Sequence, residues 1–364
     1  MKIERAELRE LNLALRERFE ISSGASQDRR ITLLRLTVDG VDSWSECVAA
    51  EDPSYSYETT DTAWHILGKF ILPRIVGTEF TGPSDIMNPI PWVRGHEMAK
   101  AAVEMAAWDV VAQQNGTSLS ATLGGTRARV PVGVSIGIQP DADTLVAKVG
   151  GYVAEGYARI KIKPGKDVAM LGAVRERFPD LPIMADANSA YTLDDLDSLK
   201  ALDDLDLMMI EQPLHYEDCL HHARLQAEIT TPVCLDESIH SVRDAEMAIE
   251  LGACMIINIK PGRVGGFGQS IAIHDLCLAE GIQVWHGGML ESGVGRAYNL
   301  ALASLPGFTL PGDISASRRY WEEDIVAPEF TVEDGTMAVP QGVGLGVELR
   351  EDRIEALTVA TASF

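Results

Sequence analysis

Five short segments decide the fold of this chain: RIKIK (159–163), MADAN (184–188), MIEQP (209–213), CLDES (234–238) and IINIKPG (256–262). Each is largely apolar and carries a charged residue near its end, and these residues are Lys163, Asp186, Glu211, Asp236 and Lys260. Successive members of this set are 23, 25, 25 and 24 residues apart. A strand, a helix and two turns use about that many residues, and parallel strands need such a crossover, so we predict successive βα units.

In a (β/α) barrel the carboxyl ends of the strands meet at one mouth, where such enzymes carry their active sites. The five positions would bring three acids and two lysines together there. Acids flanked by lysines predict a metal site between two bases. A single acid at a strand end more often caps the next helix, but three acids in phase with two lysines favour the metal site.

Asp186, Glu211 and Asp236 offer only oxygen ligands, which suit Mg²⁺ or Mn²⁺ better than zinc. Without a cation, three converging carboxylates would repel one another and raise one another's pKa values. Asn188 and Glu237 closely follow two of these acids, and we expect them to support the ligands from behind.

Arg159, Lys161 and Lys163 alternate along one predicted strand and therefore point to the same face. Crowding by like charge and partial burial lower the pKa of a lysine toward the range in which it acts as a base. We predict that Lys163, nearest the mouth, is the general base, and that Lys161 assists it and binds a substrate carboxylate. A solvated basic face is disfavoured because the second strand of a barrel has no open edge.

Lys260 ends the sixth predicted strand, across the barrel from Lys163, and can therefore reach the opposite face of a substrate. Arg263, three residues later, would either lower the pKa of Lys260 by like charge or lie in solvent on a loop. Spacing alone leaves both possibilities open. The glycines of GRVGGFG (262–268) do not match a dinucleotide-binding G-x-G-x-x-G, and we expect them to allow a close backbone approach to a ligand or to the next helix.

The composition is that of a globular enzyme. The chain has 364 residues, of which 46% are hydrophobic and 23% charged, which suffices for a barrel and a smaller domain. A net charge of −23 disfavours nucleic acid or an anionic membrane surface as partner. No apolar run approaches ~18 residues, so no membrane span is predicted. The expected partners are a small-molecule carboxylate substrate and further copies of the chain in a homo-oligomer.

The five cysteines have no metal-ligand spacing and are expected to be free thiols: Cys47, Cys219, Cys234, Cys254 and Cys277. Their odd number, together with a charged N-terminus that has no leader pattern, predicts a cytoplasmic protein.

The chain divides into an α+β capping part over 1–125, a barrel over 126–320, and a tail over 321–364 that returns to the capping domain. A hairpin is predicted around Asp39-Gly40, and helices over about 60–75 and 97–114. The eight predicted barrel strands are VPVGVSI, ARIKIK, PIMADA, LMMIE, PVCLDE, CMIINIK, QVWHG and FTLPGD. In the tail, EFTVEDGTMAVP predicts a second hairpin that turns at Asp334-Gly335.

This organisation resembles the enolase superfamily, whose members join an α+β capping domain to a TIM-like (β/α)7β barrel. The KxK motif with a later strand-six lysine resembles its muconate-lactonising subgroup. Four strings are similar to o-succinylbenzoate synthases, in particular to the branch that also racemises N-succinyl and other N-acylamino acids: WVRGHEMAKAAVEMAAWD (92–109), VPVGVSIGI (130–138), GGMLESGVGRA (287–297) and LPGDISAS (310–317).

The resemblance implies roles for individual residues. Lys163 and Lys260 become the acid/base pair, Lys161 the first lysine of the motif, and the three acids the metal ligands. Substrate contacts fall on Ser135, Gly288 and Met289. Racemising members carry an arginine at the position of Arg263, which favours a functional role for it.

His286 stands where relatives often have a small or apolar residue. Superfamily members with a histidine base on this strand would make it catalytic. Because Lys260 already fills the position opposite Lys163, we expect His286 to be part of the pocket wall or a supporting group.

The implied chemistry is metal-dependent removal of a proton alpha to a carboxylate through an ene-diolate. It serves either the dehydration that forms o-succinylbenzoate for menaquinone or the racemisation of N-acylamino acids. Dipeptide epimerases usually carry Asp-x-Asp on strand eight, whereas this chain has Asp313-Ile314-Ser315. Muconate cycloisomerisation and a nonenzymatic ligand-binding or metal-binding barrel are the remaining alternatives. The loop 21–26 is either a specificity-setting lid or an ordinary turn.

Overall fold

The computed structural model describes residues 1–21, 24–164 and 168–364. Its strands are β1 (Ile3–Ile21), β2 (Gly24–Val38), β3 (Val41–Cys47), β4 (Arg129–Pro131), β5 (Gly133–Ile136), β6 (Arg159–Ile162), β7 (Ile183–Asp186), β8 (Ile210–Glu211), β9 (Val233–Leu235), β10 (Ile256–Ile259), β11 (Gln283–His286), β12 (Val326–Ala327), β13 (Thr336–Ala338), β14 (Glu348–Leu349) and β15 (Thr358–Ser363). Its α-helices are α1 (Thr60–Ile66), α2 (Leu72–Ile75), α3 (Glu97–Gln114), α4 (Leu119–Leu123), α5 (Ala142–Ala154), α6 (Val168–Arg177), α7 (Leu196–Asp203), α8 (Cys219–Gln226), α9 (Val242–Leu251), α10 (Pro261–Val264), α11 (Phe267–Glu280), α12 (Gly293–Ala303) and α13 (Glu351–Leu357).

The capping domain is a four-stranded antiparallel sheet in the order β15-β1-β2-β3, covered by helices. The predicted hairpin is confirmed: Asp39 and Gly40 have φ values of 47° and 76° and connect β2 to β3. Such positive φ values characterise tight hairpin turns. The helix predicted over 97–114 is confirmed as α3, and the one over 60–75 forms as α1, a π-helical segment (Leu67–Ile71) and α2.

The barrel consists of seven parallel strands in the order β5 to β11, and the segment 308–313 closes it. Phe308 bridges to Val284 of β11, and Gly312 bridges to Val132 next to β5. Gly133 N donates to Gly312 O at 2.7 Å. The eighth predicted strand therefore lies where expected but pairs through isolated bridges. The (β/α)7β barrel with a capping domain is confirmed.

Inward-pointing side chains change character along the barrel strands. A fully buried apolar group comes first: Met184, Met209, Cys234, Ile256 and Trp285. Two residues later, on β7, β8 and β10 and directly after β9, stand polar side chains on the same face, because alternate residues of a strand share a face. These polar side chains are Asp186, Glu211, Asp236 and Asn258. The apolar layer thus forms a floor, and the polar layer above it faces the mouth.

The C-terminal tail joins both parts of the molecule. Asp334 and Gly335 form the predicted turn, with φ values of 48° and 70°. The hairpin itself is reduced to one bridge between Glu333 and Thr336, because β13 pairs instead with the edge that β4 offers. The final strand β15 pairs with β1 of the capping sheet.

Ser22 and Ser23, at the centre of the loop predicted as a lid, lie outside the described residues. Within the described ranges, no helix has both the length and the apolar character needed to cross a bilayer. All five cysteines are free, and only Cys219 among them is not fully buried.

Candidate active site

A cavity that is partly open to solvent lies at the mouth of the barrel. The barrel side contributes Ser135, Lys161, Lys163, Asp186, Asn188, Lys260, Gly288, Met289, Leu290, Asp313 and Tyr320. The capping domain contributes Arg29, Ala50, Asp52, Ser54 and Tyr55. Both domains therefore build one pocket, and eight of the thirteen predicted site residues line it. The other five lie behind its described wall: Glu211, Asp236, Glu237, Arg263 and His286.

Lys163 and Lys260 approach the cavity from opposite sides. In the closed barrel, three strands separate β6 from β10 in either direction. Lys163 follows β6 directly, and Lys260 follows β10. This opposition, together with the shared cavity, brings the two predicted bases to two sides of one ligand space.

Lys163 is held by Asp186, the last residue of β7, and by Asn188 just beyond it. Its Nζ donates to Asp186 Oδ2 at 2.6 Å and also to Asn188 Oδ1. Asn188 Nδ2 in turn donates to Glu237 Oε1 at 2.9 Å. Asn188 thus links Lys163 to Glu237, which agrees with the supporting position expected for both residues.

Lys161 connects three acids inside the barrel. Its Nζ lies 3.2 Å from Asp186 Oδ2, 3.1 Å from Glu211 Oε2 and 2.9 Å from Asp313 Oδ2. Burial alone would lower the pKa of Lys161, but the charges of these carboxylates outweigh it and raise the pKa well above its usual value. The same carboxylate–lysine contacts keep the pKa of Asp186 below its usual value despite burial. Lys161 is therefore a fixed cation in this arrangement.

Lys260 donates to Asp236 Oδ2 at 2.8 Å and to the hydroxyl of Tyr55 at 2.9 Å. Burial opposes its charge, but Tyr55 and the nearby Glu211 and Glu237 shift the pKa of Lys260 upward. A net lowering of the pKa of Lys260, one of the two possibilities that the spacing of Arg263 left open, is therefore not found in this arrangement. Negative groups surround Lys260 more closely than the sequence spacing suggested.

Arg263 is 2% exposed, which rules out the solvated loop position. Its guanidinium forms an ion pair with Asp236 and donates to Tyr55 OH at 2.9 Å. It also donates to the carbonyl oxygens of Ile239 (2.7 Å) and Asn258 (2.6 Å). Arg263 thus fixes the Asp236 carboxylate from behind, and its charge is neutralised there.

The three predicted metal ligands stand on neighbouring strands. Asp186 pairs in register with Glu211, and Asp236 comes two residues after Cys234, the partner of Glu211. All three are at most 3% exposed. Among the described residues, however, no three His, Cys, Asp or Glu side chains are grouped so that they could hold a metal ion. Each acid is bonded to a cationic side chain instead, so metal binding stays a prediction.

The donor set nevertheless fits a hard divalent cation. All three side chains present carboxylate oxygens, which Mg²⁺ and Mn²⁺ prefer. Nearby, Glu237 Oε2 is buried without a hydrogen-bond partner among the described residues. Burial, followed by the charge of Asp186, raises the pKa of Glu237 to about 7. This surplus of buried carboxylate oxygen is the environment that a cation would stabilise.

Ser135, Gly288 and Met289 all line the cavity, as the sequence resemblance implied. Ser135 Oγ is buried and makes no hydrogen bond to the described residues, so it is available to a ligand. A side chain at Gly288 would overlap the carbonyl oxygen of Asp313. The strand-seven loop can therefore approach strand eight only with glycine at this position.

His286 is 1% exposed and lies behind the described cavity lining, so of its two expected positions the pocket wall does not fit, and the supporting role stays a prediction. Its ring stands 6.1 Å from that of Phe308. Burial and the charge of Lys260 lower the pKa of His286 to about 3. The imidazole is therefore neutral and does not serve as a proton donor.

Sequence reasoning missed Tyr55 and Asn258. Asn258 Nδ2 donates to Glu211 Oε1 at 2.7 Å. Its position two residues before Lys260 placed it on the same strand face, so a signal was present. Tyr55 lies on a capping-domain loop far from the barrel motifs, and no spacing in the sequence indicated its contact with Lys260.

Comparison with known proteins identifies the family. Residues 5–124 match the "Mandelate racemase / muconate lactonizing enzyme, N-terminal domain" model, and residues 144–353 match the "Enolase C-terminal domain-like" model. The chain is 49% identical to an o-succinylbenzoate synthase of Bacillus subtilis, covering 97% of this chain and 95% of the relative. It is 50% identical to an N-succinylamino acid racemase of Thermus thermophilus, covering 99% and 98%.

Among solved structures, an enolase superfamily member from Listeria innocua superimposes with a TM-score of 0.96 at 42% identity, covering 100% of this chain and 99% of that one. The family resemblance predicted from the sequence is thus confirmed, and the relatives favour the synthase and racemase reading over the other reactions considered. Enzymes of this kind depend on a divalent metal. The chain belongs to the enolase superfamily.

Proposed function

We propose that this protein removes the α-proton of a small carboxylate substrate, either to form o-succinylbenzoate by dehydration or to racemise N-succinylamino acids. The observation that carries this proposal is the placement of Lys163 and Lys260 on opposite sides of one cavity. A pair placed in this way lets one lysine remove a proton from one face and the other lysine return a proton to the opposite face. The names of the relatives supply the two reactions.

Asp186, Glu211 and Asp236 would hold the metal, for which we propose Mg²⁺, with Mn²⁺ as a substitute. A divalent cation bound there would supply positive charge to the substrate carboxylate and so stabilise the charge that develops as the proton leaves. Asn188 and Glu237 would orient the ligands, and Lys161 would bind the carboxylate. With their acids engaged as ligands, Lys163 and Lys260 would be free to act on the substrate.

In the synthase reaction, Lys163 would take the α-proton as general base. The resulting Lys163 ammonium would then protonate the departing β-hydroxyl, so that water leaves as the new C=C bond forms. Lys260 would stay protonated and stabilise negative charge on the other side. In this reaction only Lys163 moves a proton.

In the racemase reaction the two lysines would share the work. One lysine would take the α-proton, and the ammonium of the other would return a proton to the opposite face. Neutral His286 cannot replace either ammonium as a proton donor. Both reactions can use one site because the ene-diolate is common to them.

Metal binding can be tested without measuring turnover. We would titrate Mn²⁺ into the chelator-treated protein by calorimetry and compare Asp186→Asn, Glu211→Gln and Asp236→Asn. Each variant should weaken binding by roughly 10- to 100-fold or more, since even side chains that only support a ligand cost that much. Asp52→Asn, which changes an exposed carboxylate of the same cavity, should leave binding unchanged. Equal binding by all four variants would contradict the ligand assignment.

Activity is tested on the same preparation with the synthase substrate and with N-succinylamino acids. Chelator should abolish α-proton exchange, and added Mg²⁺ should restore it. Exchange that persists with chelator would contradict the metal-dependent mechanism. The absence of exchange with every acyl-amino acid and cyclohexadiene carboxylate would favour a binding protein.

A further inference from the structure

Arg29 is a cavity-lining cation to which the mechanism assigns no role. It lies on β2 of the capping sheet and is 4% exposed. Its guanidinium donates to the carbonyl oxygens of Val48 and Ala49 at 2.9 Å, and to that of Met289 at 3.4 Å. Arg29 therefore stands where a capping loop meets the strand-seven loop, over the same cavity that holds the lysines.

Arg29 makes no ion pair with the described residues. Lys161, Lys163 and Lys260 all form ion pairs with acids, whereas Arg29 forms none with the described residues. Its Nε is buried and has no acceptor in the described part of the chain. A buried cation without an anion is costly, and a guanidinium is well suited to bind a carboxylate through several N–H groups.

Neutral carbonyl contacts fix the position of the guanidinium but do not neutralise it. Glu46 and Glu291 act on it from beyond ion-pair distance, and burial still keeps the pKa of Arg29 below its usual value. An anionic group of the ligand would supply both the missing charge and the missing acceptor. The α-carboxylate is assigned to Lys161 and the metal in the proposed function, which leaves a second anionic group on the same substrate as the partner that Arg29 could take.

We propose that Arg29 recognises a second carboxylate, at the end of the acyl group, and thereby selects dicarboxylic over monocarboxylic acyl substrates. This proposal rests on the proposed function and specifies its substrate class. Arg29 is then a specificity-determining residue that touches the substrate away from the reacting carbon. Arg29 would bind the ground state and the transition state of proton transfer equally well. Its loss should therefore affect KM more than kcat.

The substrate comparison on the wild-type enzyme needs no variant. We would measure kcat/KM for α-proton exchange with one amino acid in three forms: N-succinyl, the neutral methyl ester of its succinyl end, and N-acetyl. The charged form should be preferred by roughly 10- to 100-fold, the range expected for a charge-assisted hydrogen bond. Equal values for the acid and its methyl ester would overturn the assignment of Arg29. Absence of exchange with all three would instead contradict the proposed function.

The variants Arg29→Gln and Arg29→Lys then test whether Arg29 causes the preference for the N-succinyl substrate. Arg29→Gln should remove most of the preference for N-succinyl through a higher KM and leave the N-acetyl substrate nearly unaffected, whereas Arg29→Lys should retain part of it. Arg30→Gln is the matched control, because Arg30 is the next residue on β2 but pairs with Glu10 and Asp61 outside the cavity lining. If Arg29→Gln lowered kcat/KM for both substrates in parallel, Arg29 would be merely structural.

Discussion

Tyr55 is a side chain through which the capping domain reaches the charged groups of the barrel. Its hydroxyl lies 2.9 Å from Lys260 Nζ, 2.9 Å from Arg263 Nη1 and 3.1 Å from Asp236 Oδ2. Lys260 Nζ also stands 4.5 Å from the centre of the Tyr55 ring. One residue of the capping domain can thus orient the lysine that lies opposite Lys163.

Tyr55→Phe should slow the proton transfers that Lys260 carries out, because the variant keeps the ring but loses the hydroxyl contacts. We expect a decrease of roughly tenfold or more in kcat for racemisation, in line with hydrogen bonds to charged groups. The synthase reaction, in which only Lys163 moves a proton, should decrease less. Steady-state kinetics with both substrates on one metal-loaded preparation measure the difference.

Tyr57→Phe is the control for Tyr55→Phe. Tyr57 lies two residues further on the same loop and is 56% exposed, so both reactions should keep their rates. If Tyr55→Phe lowered the rates of racemisation and of the synthase reaction equally, the Tyr55 hydroxyl would act on the pocket as a whole and not on Lys260.

The positions of the barrel residues could be predicted because the barrel strands recur at a regular spacing in the sequence. Asp186, Glu211 and Asp236 follow in-phase apolar runs, so spacing alone places them at one mouth. The roles of Tyr55 and Arg29 could not be predicted, because a contact between two domains produces no regular spacing of residues in the sequence. The direction of the pKa shift of Lys260 was left open for the same reason, because residues far away in the sequence, such as Tyr55, set it.

At the level of elements, the glycines of 262–268 serve contact between helices. Gly266 has a φ of 112°, and a side chain there would overlap the carboxylate of Glu104 on α3. That carboxylate accepts hydrogen bonds from the backbone N–H groups of Phe267 (2.8 Å) and Gly268 (2.9 Å) at the start of α11. The motif therefore lets a capping-domain acid satisfy the N-terminus of a barrel helix.

Gly266→Ala should destabilise the protein, because it combines an unfavourable backbone angle with overlap at Glu104. We expect a loss of about 1–3 kcal/mol in the free energy of unfolding. Gly172→Ala in α6 is the opposite case, since a Cβ there meets nothing within 4 Å. It should stabilise by about 0.5–1 kcal/mol. Urea titrations of both variants measure these changes, and a neutral Gly266→Ala would contradict the close approach.

At the scale of the whole molecule, two buried glutamates of the capping domain accept hydrogen bonds from backbone N–H groups at the start of barrel helices. Besides Glu104, Glu46 of β3 accepts from the N–H groups of Ser292 (3.1 Å) and Gly295 (3.2 Å) at the start of α12. Burial raises the pKa of both Glu46 and Glu104 to about 7. Cap and barrel are thus joined by acids whose ionised form the folded state disfavours.

Stability should therefore decrease as the pH rises from about 4.5 to 7. Above the ordinary pKa of 4.5 the unfolded chain loses these protons first, whereas the folded protein retains them until about pH 7. Glu104→Gln cannot titrate, so its free energy of unfolding should depend less steeply on pH than that of the wild type. Urea titrations at several pH values between 5 and 8 test this, and equal slopes would contradict the raised pKa of Glu104.

The sequence predicted the architecture of the whole molecule because period and turn chemistry are local properties, as in the hairpin at Asp39-Gly40. It did not predict that β13 pairs with β4, since several strand edges compete for the same short segment. The boundaries at 125 and 320, the homo-oligomer and the cytoplasmic location stay predictions. The oligomer and the location depend on surfaces and surroundings that one chain does not contain.

The central claim is that two lysines face one α-carbon from opposite sides. Deuterium incorporation from D₂O into each enantiomer of an N-succinylamino acid, measured separately for Lys163→Ala and Lys260→Ala, tests it most directly. Each variant should lose racemisation, yet each should still exchange the α-proton of one enantiomer, and the enantiomer should differ between the two. Racemisation by either variant, or retained exchange of the same enantiomer by both, would contradict the opposed arrangement.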